Sequence, residues 1–235
     1  MYREFPGARV LRMDADSTRN RESYEKILSA FEDGKADILV GTQMIVKGHD
    51  FPNVTLVGIL AADLSLNQND YRAGERTFQL LTQAAGRAGR GERPGEVVIQ
   101  TYQPEHYSIV HAANQDYESF YEEEIVYREL LQYPPAAHML AVLVISGEEE
   151  RGSGVLEAFA RLIRERFGAD GKLYMIGPAK AAVSRINDQY RHTLYLKHPD
   201  YERLVRVKDM LEAYAKEQDY KKVNIQFDFD PMNTY

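Results

Sequence analysis

The chain has 235 residues, 44% hydrophobic and 28% charged, enough for one large or two medium soluble domains. Its net charge of −7 excludes a surface that holds nucleic acid by overall charge, so any such contact is local. The absence of cysteine excludes disulfides and thiolate metal sites and fits a reducing compartment, and the longest apolar run, Thr55 to Ala62, is too short to cross a bilayer.

In chain order, Val10 to Met13 reads as a short strand stopped by Asp14-Ala15-Asp16-Ser17. Tyr24, Ile27, Leu28 and Phe31 recur at helical spacing, and Gly34 closes that helix. Ala36 to Val40 and Val54 to Ala61 are apolar strands ending at Gly41-Thr42 and at Asp63. Phe78 to Ala88 is predicted helical, and Glu96 to Thr101 is a fourth strand. Strands alternating with helices, each apolar along its length, predict one parallel sheet covered on both faces. Ligands of such sheets gather beyond the carboxyl ends of the strands, where Asp14, Thr42, Asp63 and the loop before Gln79 are expected.

Residues 104–133 form an acidic, tyrosine-rich helical stretch, and Pro134-Pro135 cannot continue a helix, so a boundary is expected there. Beyond it the order is strand (His138–Ser146), helix, extended segment (Lys172–Ile186), strand, helix and a cleanly alternating last strand, Val223 to Phe229. This βαββαβ order is the split βαβ, ferredoxin-like arrangement, with two helices on one face of an antiparallel sheet. Three segments follow: residues 1–103, a helical connector over 104–135, and residues 136–235. The last is expected to fold alone.

Two stretches carry chemistry. In Gln79 to Gly91, QLLTQAAGRAGRG, a continuous helix puts Gln83, Arg87 and Arg90 at offsets 0, +4 and +7, on one face. The glycines and alanines around them leave room for another backbone or for a phosphate, and paired guanidinium forks suit phosphate oxygens. The competing reading is a solvated basic helix end. In Gly41 to Pro52, GTQMIVKGHDFP, Gly41 and Gly48 allow close backbone approach, and Thr42 and Gln43 offer neutral hydrogen bonds. Lys47 offers a point charge, and Asp50 could accept from ribose hydroxyls. The plain alternative is a polar loop with Asp50 capping a turn.

ILVGTQMIVKGHDFPNVTLVGILAAD and RAGERTFQLLTQAAGRAGRGERPGEVVIQT resemble motifs V and VI of superfamily 2 helicases. With FPGARVLRMDAD and the YPP boundary, nearly the whole chain resembles the C-terminal half of the replication-restart helicases of the primosomal protein N′ family. One departure is Ala61, where that family's pattern has an aspartate. The resemblance implies a RecA-like second helicase lobe. Arg87 and Arg90 would reach the γ-phosphate of ATP as arginine fingers, and Gln83 would join their network. Gly48 and Asp50 would meet the ribose, and Thr42, Gln43 and Lys47 the DNA backbone. It also implies fork binding and contact with the acidic tail of single-stranded-DNA-binding protein and with other primosome proteins, in the cytoplasm.

The chain holds no G-x-x-x-x-G-K-[ST] and no DExH-type segment. The phosphate loop, the Mg2+ ligands and the family's zinc-binding cysteines are therefore expected upstream, and this segment alone is expected not to hydrolyse ATP. In the last domain, Arg185, Tyr190, Arg191 and His192 cluster about a central hairpin and are the candidate partner site. A solvated hairpin tip is the other reading of that cluster, and the alternative for the whole chain in isolation is a non-catalytic module binding branched DNA or single-stranded-DNA-binding protein. The remaining histidines have no metal-ligand spacing, and no metal site is assigned.

Overall fold

The computed structural model describes residues 3–14, 16–18, 21–46, 51–218 and 220–235. They fall into two compact units, Met1–Gln68 with Arg72–Phe120, and Asn69–Tyr71 with Tyr121–Tyr235. Among the described residues no helix is long and apolar enough to cross a membrane.

In the first unit β1 (Val10–Met13) and β2 (Ile38–Gly41) pair in parallel, with Val10 opposite Ile38. The helix between them, α1 (Arg21–Glu32), carries Tyr24, Ile27, Leu28 and Phe31 at helical spacing, and these pack with Met13 and Phe51. A short 3-10 turn, Gln43–Val46, leaves β2. A second parallel pair follows, β3 (Leu56–Ile59) with β4 (Glu96–Ile99), separated in sequence by α2 (Asp63–Leu66) and α3 (Ala73–Ala85). Phe78 and Leu81 of α3 form a core with Ala62, Ile109, Ala112 and Phe120.

The two pairs form separate two-stranded sheets, where the sequence predicted one. Nor are β3 and β4 covered on both faces: Leu56 and Val98 are exposed, while Val57 and Ile59 are partly buried. The helical stretch after β4 is also two helices, α4 (Tyr107–Asn114) and α5 (Tyr117–Leu131). Gln115, in the left-handed region at φ 54°, ends the first, and the Asp116 carboxylate accepts the Ser119 N–H at 3.0 Å to start the second.

The second unit runs β5 (His138–Ser146), α6 (Glu149–Phe167), β6 (Tyr174–Ile186), β7 (Gln189–His198), α7 (Tyr201–Gln218) and β8 (Val223–Phe229). This is the order read from the sequence. Its antiparallel sheet is ordered β6-β7-β5-β8. Leu140, Val142 and Val144 share one face of β5 and pack with Val155, Leu156 and Phe159 of α6 and Leu204, Val207 and Leu211 of α7. Burying each such side chain contributes about 1.5–3 kcal/mol. The C-terminal segment crosses the other face at Ala141. Tyr235 donates its N–H to the Tyr195 hydroxyl and its own hydroxyl to Asp228, and both of these pair in register with Ala141.

Candidate nucleotide and nucleic-acid site

The helix that leads to the arginines stops earlier than its alanines suggest. Thr77, Phe78, Leu81 and Ala84 fix the buried face of α3, which ends at Ala85 with Gly86 as its cap. Arg87 N–H then donates to Ala84 O and Ala88 N–H to Ala85 O, the tighter i to i+3 pattern. Gly89 follows at φ +72° and turns the chain away. The shared helical face of Gln83, Arg87 and Arg90 is therefore corrected: only Gln83 lies on α3, and the arginines stand on the loop after it. Gln83 and Arg90 are exposed and Arg87 is partly buried. The Arg90 Nε–H donates to Gly86 O at 2.7 Å, tying the guanidinium back to the helix end.

The paired glycines accommodate backbone. A Cβ on Gly89 would lie 2.6 Å from Gly95 N, one on Gly95 would lie 2.3 Å from Gly89 N, and one on Gly91 would lie 2.3 Å from Pro52 O. Gly89 N–H donates to Val54 O at 3.0 Å. The arginine loop is thus wedged between Pro52–Val54 and Pro94–Gly95. Val54 precedes β3, so the loop sits at the amino end of β3 and not beyond the carboxyl ends where ligands of parallel sheets gather. The two motifs still meet, because the chain from β2 to β3 returns to that end.

At the carboxyl end of β2, Gly41 is required by space: a Cβ there would lie 2.0 Å from Met13 O. Thr42 N–H donates to that same oxygen at 3.4 Å, and Thr42 O accepts from Ile45 N–H at 3.1 Å. Thr42 and Gln43 are both exposed. Lys47, Gly48 and Asp50 lie outside the described residues. Asp14 and Asp63 have structural partners. Asp14 accepts from Ser17 N–H at 2.9 Å and is paired with Arg12. Asp63, buried at the end of β3, accepts from the Tyr102 N–H at 3.0 Å and the Thr101 hydroxyl at 2.8 Å. The Tyr102 N–H foremost, with the Thr101 hydroxyl, holds its carboxyl below the usual range.

The hairpin cluster of the second unit divides. The Arg185 guanidinium lies 5.0 Å from the centre of the Tyr190 ring and pairs with Asp188 at 2.8 Å. Arg191 follows Tyr190 on β7, so it occupies the opposite face, and its Nη1 donates to Val183 O at 3.1 Å. His192 is buried against Gly152, and burial pushes its imidazole pKa down. Its expected place in a surface cluster is corrected.

Sequence reasoning missed a column of rings and cations in the second unit. Tyr71 stacks on Tyr133 with centres 4.8 Å apart. The Arg128 guanidinium lies 4.9 Å from the Tyr71 ring, and Lys197 Nζ lies 3.4 Å from that of Tyr133. The four residues share no local spacing that would announce them.

With this geometry in place, the chain can be compared with known proteins. Residues 1–92 match the helicase conserved C-terminal domain, and residues 129–232 match the primosomal protein N C-terminal domain. The replication restart protein PriA of Bacillus subtilis is 47% identical over 96% of this chain, which covers 28% of that protein. PriA of Synechocystis is 38% identical over 99% of the chain and 27% of its own length, and PriA of Chlamydia trachomatis is 38% identical over 98% and 30%. Among solved structures, the de novo designed protein Foldit4 overlays 40% of the chain at a TM-score of 0.32 and 11% identity, a likeness too slight to bear on the fold. The arginine loop therefore lies in a helicase C-terminal segment that is followed by a primosomal domain. The chain belongs to the PriA family of replication restart proteins, and it spans less than a third of the relatives compared here.

Proposed function

We propose that this chain is the second motor lobe and C-terminal domain of an ATP-dependent, superfamily 2 DNA helicase acting in replication restart and primosome assembly. The first unit reads as the RecA-like lobe, and the sheet order β6-β7-β5-β8 supports a ferredoxin-like reading of residues 136–235. Residues 104–135 connect the two.

The observation that carries the proposal is the glycine-wedged loop, which fixes Arg87 and Arg90 next to the segment that follows residues 47–50. Two guanidinium groups fit the outer oxygens of a triphosphate. The Mg2+ and zinc ligands are assigned to the part of the parent protein outside this chain, which covers 28% of the Bacillus subtilis relative. ATP, when bound, supplies the phosphoryl group. Arg87 and Arg90 neutralise charge on it, Gln83 orients their network, and Gly48 and Asp50 meet the ribose. Thr42, Gln43 and Lys47 hold the DNA backbone without reading sequence. Arg185 with Tyr190 is the proposed contact for the acidic tail of single-stranded-DNA-binding protein, a guanidinium beside a flat apolar wall.

The test is turnover in the full-length enzyme. Arg87→Ala or Arg90→Ala should lower ATP hydrolysis by about 10²-fold or more, near the effect of removing a preorganised donor and below the about 10³–10⁵ of GTPase arginine fingers. DNA binding should stay nearly intact. Lysine at either position should rescue poorly, because a point charge does not reproduce the planar fork. Wild-type turnover in both alanine variants would refute the assignment. The 235-residue chain by itself should show no ATPase activity above buffer.

A further inference from the structure

Within the second unit, α5 carries its polarity inside out. Its buried stripe runs on from Phe120 to Glu124 and Arg128, which are ion-paired at 2.5 Å, with Arg128 Nη1 donating to Pro134 O at 2.7 Å. Its exposed side is apolar: Val126 is 59% accessible, Tyr127 44%, Leu130 76% and Leu131 54%. These are positions i, i+1, i+4 and i+5, one continuous stripe. Glu122 and Glu129 are exposed beside it. A surface helix ordinarily shows the reverse arrangement, with its apolar face turned to the core.

We propose that this stripe is the docking surface for a part of the same parent polypeptide outside this chain, one that presents an apolar ridge with Lys or Arg along its margins. The inference rests on membership of the PriA family, whose Bacillus subtilis member is covered only to 28% by this chain. A covalently linked partner needs little intrinsic affinity, since linkage holds it at high effective concentration. The glutamate margin selects a basic partner. It also disfavours a second copy, which would set the same glutamates against one another across a two-fold interface, and it disfavours nucleic acid, whose phosphates share their sign.

Hydroxyl-radical footprinting read by mass spectrometry tests this without ATP or DNA, so its outcome is independent of the arginine assignment. Tyr127, Leu130 and Leu131 should be labelled readily in the 235-residue chain and several-fold less in the full-length protein. Leu130→Lys should leave the melting of the 235-residue chain unchanged, because position 130 is exposed, and should restore labelling of Leu131 in the full-length protein. Leu130→Met should keep the protection. Equal labelling of the two proteins would overturn the proposal. So would protection of the short chain that grows with its concentration, which would mean a second copy, or protection that appears only when DNA is added.

Discussion

At position 89 the backbone itself sets the rule. Gly89 lies at φ +72° with a neighbouring backbone nitrogen where a Cβ would go, whereas Gly86 lies at φ −65° and its added Cβ would meet nothing nearer than Thr82 O at 3.3 Å. Gly89→Ala should therefore cost about 1–2 kcal/mol for the left-handed conformation alone, and more as the loop shifts to relieve the clash. Gly86→Ala should change stability by less than about 0.5 kcal/mol. Urea denaturation of the two variants separates these outcomes, and equal midpoints would remove the glycine wedge as the reason for the loop's path. The same reasoning explains what the sequence hid. Ala84, Ala85 and Ala88 favour helix, so residue types alone extend α3 to position 88. The stop comes from Gly89 against Gly95 and Gly91 against Pro52, contacts that no local pattern announces.

Among elements, Asp63 staples the end of β3 to the residues leaving β4 by accepting from Tyr102 and Thr101. Its folded pKa is depressed, mainly by the Tyr102 N–H, so the staple contributes stability above the unfolded value of about 3.9. That contribution is lost as pH falls through the lower folded value. Wild-type chain should thus be more stable than Asp63→Asn at pH 7, and the gap should close below about pH 4. Denaturant titrations at several pH values check this, and a gap constant down to pH 3 would count against the staple. The second unit was the more legible part. The apolar His138–Ser146 and the alternating Val223–Phe229 are the observed β5 and β8, because each side chain there answers to one sheet and one core. In the first unit the apolar run through β3 suggested cover on both faces, and Leu56 and Val98 lack it. In α5 two of the buried residues, Glu124 and Arg128, are charged, so no apolar spacing marks that face.

At the scale of the whole molecule, the second unit is larger than the segment expected to fold alone. It takes in Asn69–Tyr71 and residues 121–135 as well as residues 136–235. Lys197 is the sensitive point. It is buried, its pKa is lowered by burial, and its Nζ donates to Leu131 O at 3.1 Å and stands over Tyr133. A chain of residues 136–235 lacks both partners. It should be less stable than residues 121–235 by about 1–3 kcal/mol, the cost of an abandoned buried polar group. Lys197→Met should stabilise the shorter chain and not the longer one. Thermal melts of the four proteins decide it, and a lysine substitution with equal effect in both lengths would mean that the column of rings and cations does not hold the charge.

The glycine wedge has a bearing on how this loop can evolve. Gly89, Gly91 and Gly95 meet neighbouring backbone, so the path of the loop is set without help from the side chains of Glu92 and Arg93, which remain exposed. Substitution at those two positions can rewrite the loop's charge on an unchanged track. Drift at the glycines would move the track itself, so in related chains the G-x-G-x-x-x-G spacing should outlast the identity of residues 92 and 93.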